Sequence, residues 1–299
     1  MKIGLIDLDN TGTFPNLALM KISAYHKNKG DFVEWYQPLF GGEYDKVYVS
    51  KVFTWSKEYP YHINSKEVIY GGCGYDLENK LSDDIEHTFP DYSLYDYVKN
   101  TAYGFLTRGC PRGCNFCNVG DHQGKIARKV ADLKEFWNGQ KIIKLMDPNI
   151  LACKDWKELF QQLIDSGAEI DFTQGLDIRL LTEEKIEYLN KLKIKFIHFA
   201  WDQMNKQTLE CLEKFRPLLK FDERRLKVYV LVNFDTTLEE DLERIYKLRK
   251  LGYDPYIMRY DKHLMKKGNI YNKLARWVNN KMLWRTNETF EEYLNKKVG

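Results

Sequence analysis

The sequence predicts an α/β chain: an open parallel sheet, then a β/α repeat of about six units making a partial barrel, then a short helical tail. Three observations carry this. Apolar runs of strand length recur along the chain, and each stops at small or polar residues. Helical stretches with one apolar stripe fall between several of them, the pattern of strands that pair in parallel. Finally, 299 residues that are 43% hydrophobic and 30% charged, with only 8 prolines and 19 glycines, have room for two units of roughly 100 to 200 residues. That composition excludes disordered, collagen-like and repeat chains.

Residues 2–6 (KIGLI) read as a buried strand leaving into the polar loop Asp7 to Gly12. Leu17, Met20, Ile22, Ala24 and Tyr25 fall roughly on one face, which predicts a helix over 17–29 stopped by Gly30. Strands follow at 46–52 and 67–70, the second broken by Gly71 and Gly72. Residues 1–97 are therefore expected to form a Rossmann-like open sheet, with ligands gathering at the carboxyl ends of its strands. A tyrosine-rich connection over 92–103 is expected to pack between the units. Further strands are predicted near 103–107, 142–146, 170–173, 194–200, 227–232 and 255–260, with helices at 155–166, 182–192 and 238–251. Leu238, Leu242, Ile245, Leu248 and Leu251 form the stripe of the last helix. Residues 98–261 thus read as a partial (β/α)6 TIM-type barrel, whose active groups belong on the loops after strands. Residues 262–299 form a basic helical extension.

No apolar run approaches the roughly 18 residues of a membrane span. Asp7 and Asp9 interrupt the start before a signal-peptide core can form, so a cytoplasmic chain without a membrane partner is expected. The formal charge is only +3, but residues 262–299 hold nine Lys or Arg against three Glu. There Lys266, Lys267, Lys273, Arg276, Trp277, Lys281, Trp284 and Arg285 mix cations with aromatics. Such a tail either tracks a nucleic-acid backbone and stacks bases, or is a solvated face whose tryptophans pack onto the barrel. The second reading is the plainer one.

Three of the six cysteines are dispersed, at 73, 153 and 211, and three are crowded into CPRGCNFC as Cys110, Cys114 and Cys117. In a reducing compartment crowded thiols point to a metal more than to disulfides. The spacing is CxxxCxxC directly after the first strand of the second series. Three thiolates on one loop can ligate three irons of a 4Fe-4S cluster and leave the fourth iron open, whereas an ordinary electron-transfer cluster uses four cysteines. Pro111 and Gly113 bend the loop so that its sulfurs can converge. The competing reading is a zinc site of the three cysteines with His122, although zinc ligands usually arrive as two separated pairs.

With this loop, and Phe116 as the aromatic before the third cysteine, the chain resembles the radical SAM superfamily over most of residues 103–260. The resemblance implies an enzyme that uses a 4Fe-4S cluster to cleave S-adenosyl-L-methionine reductively. The resulting 5′-deoxyadenosyl radical then abstracts hydrogen from a substrate. A reducing donor such as flavodoxin or ferredoxin is implied as partner. It also implies cofactor contacts by Phe116, Asp147 and Asn149 in LMDPN, Arg179 in QGLDIRLLTEE, Asp202 in FIHFAWDQ, and Asn233 after the fifth strand. Asp147 and Asn149 would accept from the methionine amine, Arg179 would face its carboxylate, and Asp202 a ribose hydroxyl. Trp201 would wall the site. The plainer alternatives are a turn and cap for Asp147 and Asn149, a local pair with Asp177 for Arg179, and a satisfied core histidine for His198. Thr236 or Thr237 is expected to cap the following helix. Phe234 and Asp235 stand where the family often has glycine and proline.

Residues 1–97 resemble the cobalamin-binding-type domain preceding many barrels of one subgroup: Asp7, Asp9 and Gly12 as DxDxxG, Ser50 and Val52 as SxV, then Gly71 and Gly72. The family's axial histidine is replaced by Asp9, a harder and poorer cobalt ligand, and Lys51 brings a cation to the nucleotide-tail pocket. A scaffold or substrate lid is thus expected ahead of cobalamin binding. Two other functional readings stand beside the main one. They are a cobalamin-dependent radical SAM methyltransferase and a nucleic-acid-binding module with a structural metal site. No later cysteine cluster exists for auxiliary iron–sulfur centres.

Overall fold

The computed structural model describes residues 1–296; the last three residues of the predicted extension lie outside them. Two all-parallel sheets organise the chain. The first holds β1 (Lys2–Asp7), β2 (Phe32–Trp35), β3 (Tyr44–Ser50) and β4 (Ser65–Gly71) in the order β2-β1-β3-β4. Helix α1 (Leu17–Asn28) crosses from β1 to β2; Asn16 caps it, its side chain accepting from the Leu19 N–H. β2 was not foreseen. It is four residues long on the sheet edge and only partly buried, so it shows neither a long apolar run nor clean alternation.

The second sheet is formed by β5 (Thr101–Gly104), β8 (Ile142–Leu145), β9 (Glu169–Phe172), β10 (Lys193–Ala200), β11 (Leu226–Val232) and β12 (Asp254–Arg259). These six strands lie side by side in chain order. Between β5 and β8 stands a small antiparallel pair, β6 (Thr107–Arg108) with β7 (Arg128–Lys129). The predicted strand over 103–107 is therefore split. β5 ends at Gly104, and the cysteine loop leaves from β6 rather than directly from the first strand.

Helices cover one face of this sheet. Short α2 (Asp83–Glu86) and α3 (Val119–Gln123) precede α4 (Trp156–Ser166), α5 (Glu183–Leu189), α6 (Lys206–Phe215) and α7 (Leu238–Leu251). Ile143, Ile170, Ile197, Phe199, Val228 and Val230 are buried with Leu159, Phe160, Leu212, Ile245 and Leu248 in the main core. Thr237 caps α7 in a reciprocal pair with Glu240, and Gly252 ends it in a left-handed turn.

The extension belongs to the same core. α8 (Ile270–Asn279), α9 (Lys281–Thr286) and α10 (Phe290–Asn295) bury Trp277, Trp284, Phe290 and Tyr293. The tail's tryptophans are thus packing groups. That is the plainer of the two readings of the tail, and a buried indole offers no face to a nucleic acid. Asn279 also closes the sheet edge: its amide donates to the Ile257 carbonyl at 3.1 Å and accepts from the Ile257 N–H at 2.8 Å. One side chain so takes the place of a seventh strand.

The tyrosine-rich connection joins the sheets, as expected. Met20, Tyr95, Val98, Tyr103 and Met146 form one buried cluster. The Tyr92 hydroxyl donates to the Phe136 carbonyl at 2.6 Å, and Tyr95 donates to Asp7 at 2.6 Å. At the strand ends the rings of Phe53, Trp55 and His263 stack, tying the loop after β3 to the loop after β12.

Candidate active site around the cysteine loop

The loop bearing Cys110, Cys114 and Cys117 spans residues 109–127, and β6 pairing with β7 closes its neck. Gly109 is required there: its φ is +89°, and a Cβ would sit 2.2 Å from the Ile126 carbonyl oxygen. The Cys110 N–H donates to the Gly124 carbonyl at 3.0 Å, and Cys117 N–H to the Cys114 carbonyl at 3.0 Å. All three thiols are free, with Cys110 and Cys114 half-buried and Cys117 exposed. Burial pushes the Cys114 thiol up, and Cys117, Asp202 and Cys110 add to that while Arg179 opposes it. Burial, Cys110 and Asp202 likewise raise Cys117. The three sulfurs and Asp202 thus share one electrostatic neighbourhood.

Among the described residues, no three His, Cys, Asp or Glu side chains are gathered closely enough to hold a single metal ion. A zinc site would need sulfurs about 3.8 Å apart, given Zn–S bonds of about 2.3 Å in a tetrahedron. His122, the fourth ligand of that reading, is engaged elsewhere: its Nε2 lies 3.2 Å from Cys73 Sγ and its Nδ1 bonds the Leu77 carbonyl. The mononuclear zinc site therefore does not fit. A cluster places each thiolate on a different iron and asks for wider spacing. The three free thiols stand together on one loop.

The loops after β8, β9, β10 and β11 bring the remaining predicted residues to the same end of the sheet. Asn149 is buried; its Nδ2 donates to Cys110 Sγ at 3.6 Å, while its Oδ1 is buried with no partner. A buried amide oxygen without a donor is costly. It is also an acceptor waiting beside the first thiol. Asp147 is arranged differently, because its carboxylate accepts from the Leu106 N–H at 3.2 Å, the Thr107 hydroxyl at 2.7 Å and the Thr107 N–H. Burial raises it to about 6 against these bonds. Its place is to hold the chain that leads into the cysteine loop.

Arg179 pairs with Asp177, Nε to Oδ1 at 2.8 Å, the local pairing that was its plainer reading. Asp177 also takes Arg112 of the cysteine loop at 2.6 Å. Burial works to raise the Asp177 carboxyl, but Arg179 and Arg112 outweigh it and hold it below the usual range. One carboxylate so fastens the middle of the cysteine loop to the exit of β9. Asp202, half-buried after β10, is raised to about 6, chiefly by burial. Trp201 is buried in the main core and does not wall the site, which corrects that expectation.

Asn233 follows β11 with φ +63° and is exposed; its amide reaches the Tyr260 carbonyl at 3.4 Å. Next to it Phe234 meets Phe116 edge-on at 5.7 Å and Tyr260 at 4.7 Å. The departure at Phe234 therefore has a structural role, as the middle ring of an aromatic row beside the loop.

Two further features carry no motif in the sequence. Arg244 of α7 is fully buried and donates to the carbonyls of Trp201 at 2.6 Å and Leu231 at 2.8 Å, and to Asp241. It clamps the ends of β10 and β11, and so positions Asp202 and Asn233. On the sheet face away from the helices, Lys144, Asp171, His198 and Tyr229 form a polar row. Lys144 lies 3.6 Å from Asp171, His198 Nδ1 bonds the Phe172 carbonyl at 2.9 Å, and His198 stacks on Tyr229 at 4.8 Å. Asp171 Oδ1 and the Thr173 hydroxyl are buried without hydrogen-bond partners, Asp171 Oδ1 lying 4.0 Å from His198 Nδ1. The only sequence signal was polar residues alternating with apolar ones in these strands, as with His198.

At the first sheet, the strand ends are filled by the protein itself. Asp9 accepts from the Val52 N–H at 2.6 Å and from the Ser56 hydroxyl, and Asn16 donates to Ser50 at 2.7 Å. Lys51 is buried, pairs with Glu58 at 2.5 Å and lies over the Tyr75 ring. A Cβ on Gly72 would sit 2.3 Å from the Lys51 carbonyl oxygen. No imidazole stands between β1 and α1, and Asp9, Asn16 and Lys51 are engaged with the chain itself.

No protein-family model matches the chain, and no curated protein matches its sequence. The mixed α/β fold with two parallel sheets stands on the structure, and no helix among the described residues is long and apolar enough to cross a membrane.

Proposed function

We propose that this chain is a cytoplasmic radical SAM enzyme whose second sheet is a partial (β/α)6 barrel and whose first sheet is a Rossmann-like lid. One observation carries the reading. Cys110, Cys114 and Cys117 stand on a braced loop at the carboxyl end of six parallel strands in chain order, with the unpartnered Asn149 oxygen beside Cys110.

Bound to those thiolates, a 4Fe-4S cluster with S-adenosyl-L-methionine supplies one-electron reductive cleavage and a 5′-deoxyadenosyl radical. The protein's own share is placement. Asn149 offers its amide oxygen to the methionine amine, and Asp202 offers a carboxylate near Cys114 and Cys117. Arg112 and Arg179, bridged by Asp177, fix the loop's middle and leave cationic charge near the thiolates. Phe116, Phe234 and Tyr260 shield the loop from water, as reactive intermediates require. The polar row of Lys144, Asp171 and His198 faces a polar substrate. A flavodoxin- or ferredoxin-type donor supplies the electron.

The test is anaerobic reconstitution with iron and sulfide, then reduction with dithionite in the presence of S-adenosyl-L-methionine. 5′-Deoxyadenosine should form with wild type and not with the Cys110, Cys114, Cys117 triple alanine variant. Iron-loaded wild-type protein that forms none refutes the reading.

A further inference from the structure

Cys73 lies after β4 in a turn between Gly72 and Gly74, one of the dispersed cysteines. The fold gives it a partner. Cys73 Sγ is 3.2 Å from His122 Nε2, across the seam between the first sheet and the helix α3 that follows the cysteine loop. The other ring nitrogen, Nδ1, bonds the Leu77 carbonyl.

That second contact fixes the tautomer. A carbonyl oxygen can only accept, so Nδ1 carries the proton, and the neutral ring then presents Nε2 as an acceptor. Cys73 must be the donor, S–H to Nε2. A nucleophile bonded to a base that a third group orients is the arrangement by which proteins activate weak nucleophiles. Burial pushes the Cys73 thiol up, with nearby Arg108 opposing it, so the resting form is the thiol and the imidazole acts as general base. Cys73 is half-buried and therefore reachable. Cys153 is buried, and Cys211 is half-buried against the main core; neither has an imidazole hydrogen bond among the described residues.

We propose that Cys73 and His122 form a reactive thiol–imidazole pair, a modification site at which Cys73 attacks low-molecular-weight disulfides. As sulfur attacks, its proton passes to His122 Nε2. One new S–S bond forms to Cys73, the S–S bond of the disulfide breaks, and the departing thiolate takes the proton back from the imidazolium. Cys73 is oxidised and the leaving half is reduced, with no other oxidant. The adduct displaces Cys73 from His122, at the helix directly after Cys117. The pair stands independently of the cluster reading, since it needs neither iron nor S-adenosyl-L-methionine.

The experiment uses the full chain, glutathione disulfide as probe and peptide-resolved mass spectrometry, which separates Cys73 from the other five cysteines. At pH 7 Cys73 should be thiolated at least about tenfold faster than Cys211, and His122→Gln should lower the Cys73 rate by about tenfold or more. Equal rates at Cys73 and Cys211, or a Cys73 rate that His122→Gln leaves unchanged or raises, overturn the proposal. A second measurement does not depend on how the variant folds. Long-range proton–nitrogen NMR of the wild-type histidines, assigned through the backbone, should show the His122 ring neutral and protonated on Nδ1, as His198 should also be through its bond to the Phe172 carbonyl. Protonation of the His122 ring on Nε2 overturns the hydrogen-bond assignment and the proposal with it.

Discussion

Removing the Arg244 side chain tests whether the clamp across β10 and β11 supports the site. Arg244→Met keeps most of the volume and deletes the guanidinium. It strands the carbonyls of Trp201 and Leu231 and leaves the buried Asp241 carboxylate with the Thr236 hydroxyl. Breaking a buried ion pair from one side costs about 3 to 5 kcal/mol. For a chain of this size, at roughly 2 °C per kcal/mol, the melting midpoint should fall by about 6 to 10 °C.

The loss should also depend on pH. Burial already raises the Asp241 carboxyl, and without Arg244 its folded-state value rises further. The folded variant then holds a proton that the unfolded chain releases, so its stability declines as pH climbs through that window. The deficit against wild type should be larger at pH 8 than at pH 5, by urea unfolding at each pH. Arg244→Met with Asp241→Leu should recover part of the loss, because no charge is left unpaired while the two carbonyls stay stranded. A single variant within about 1 kcal/mol of wild type, or a double variant no better than the single, would refute the clamp.

Other perturbations reach the remaining parts of the site. Asp202, raised to about 6, is protonated in the folded state where the unfolded carboxyl is ionised, so it subtracts stability as pH rises from about 4 through 6. Asp202→Asn should therefore raise the unfolding midpoint at pH 7 and leave it nearly unchanged at pH 4; equal shifts at both pH values would contradict this. Gly109→Ala forces a Cβ onto the Ile126 carbonyl at positive φ, and reconstituted protein should bind much less iron per chain than wild type. Asn279→Leu removes both hydrogen bonds that cover β12, and light scattering should then show concentration-dependent association absent from wild type. Asp177→Asn weakens the link between Arg112 and Arg179, and hydrogen exchange should rise in residues 110–118 with little change in β10 and β11.

Much of the fold was legible because strands of the second sheet are apolar on the helix-covered face and end at recognisable polar residues. The six strands of the second sheet were all anticipated, as were α1, α4, α5 and α7. The misses have physical causes. β2 is a short edge strand with little burial to enforce a pattern, and β6 with β7 is a two-residue pair whose strength lies in Gly109 and the loop it closes. The tryptophans of the extension look the same in sequence whether they stack bases or pack, and only burial against α7 and β12 distinguishes the two.

The sequence by itself determined the chemistry available: three thiols on one loop, a carboxylate and an amide after β8, a cation after β9, a carboxylate after β10. Side-chain type and spacing along one chain encode these directly. Tertiary structure decided how each is used, since a hydrogen bond depends on which distant groups the strand register delivers. It gave Asp147 to Leu106 and Thr107, Asp177 to two arginines, Asp9 to Val52 and Ser56, and His122 to Cys73. It left Asn149 with an unpartnered oxygen beside Cys110. Apart from the local Asp177–Arg179 pair, which spacing does suggest, those pairings join residues tens of positions apart, where local spacing carries no information.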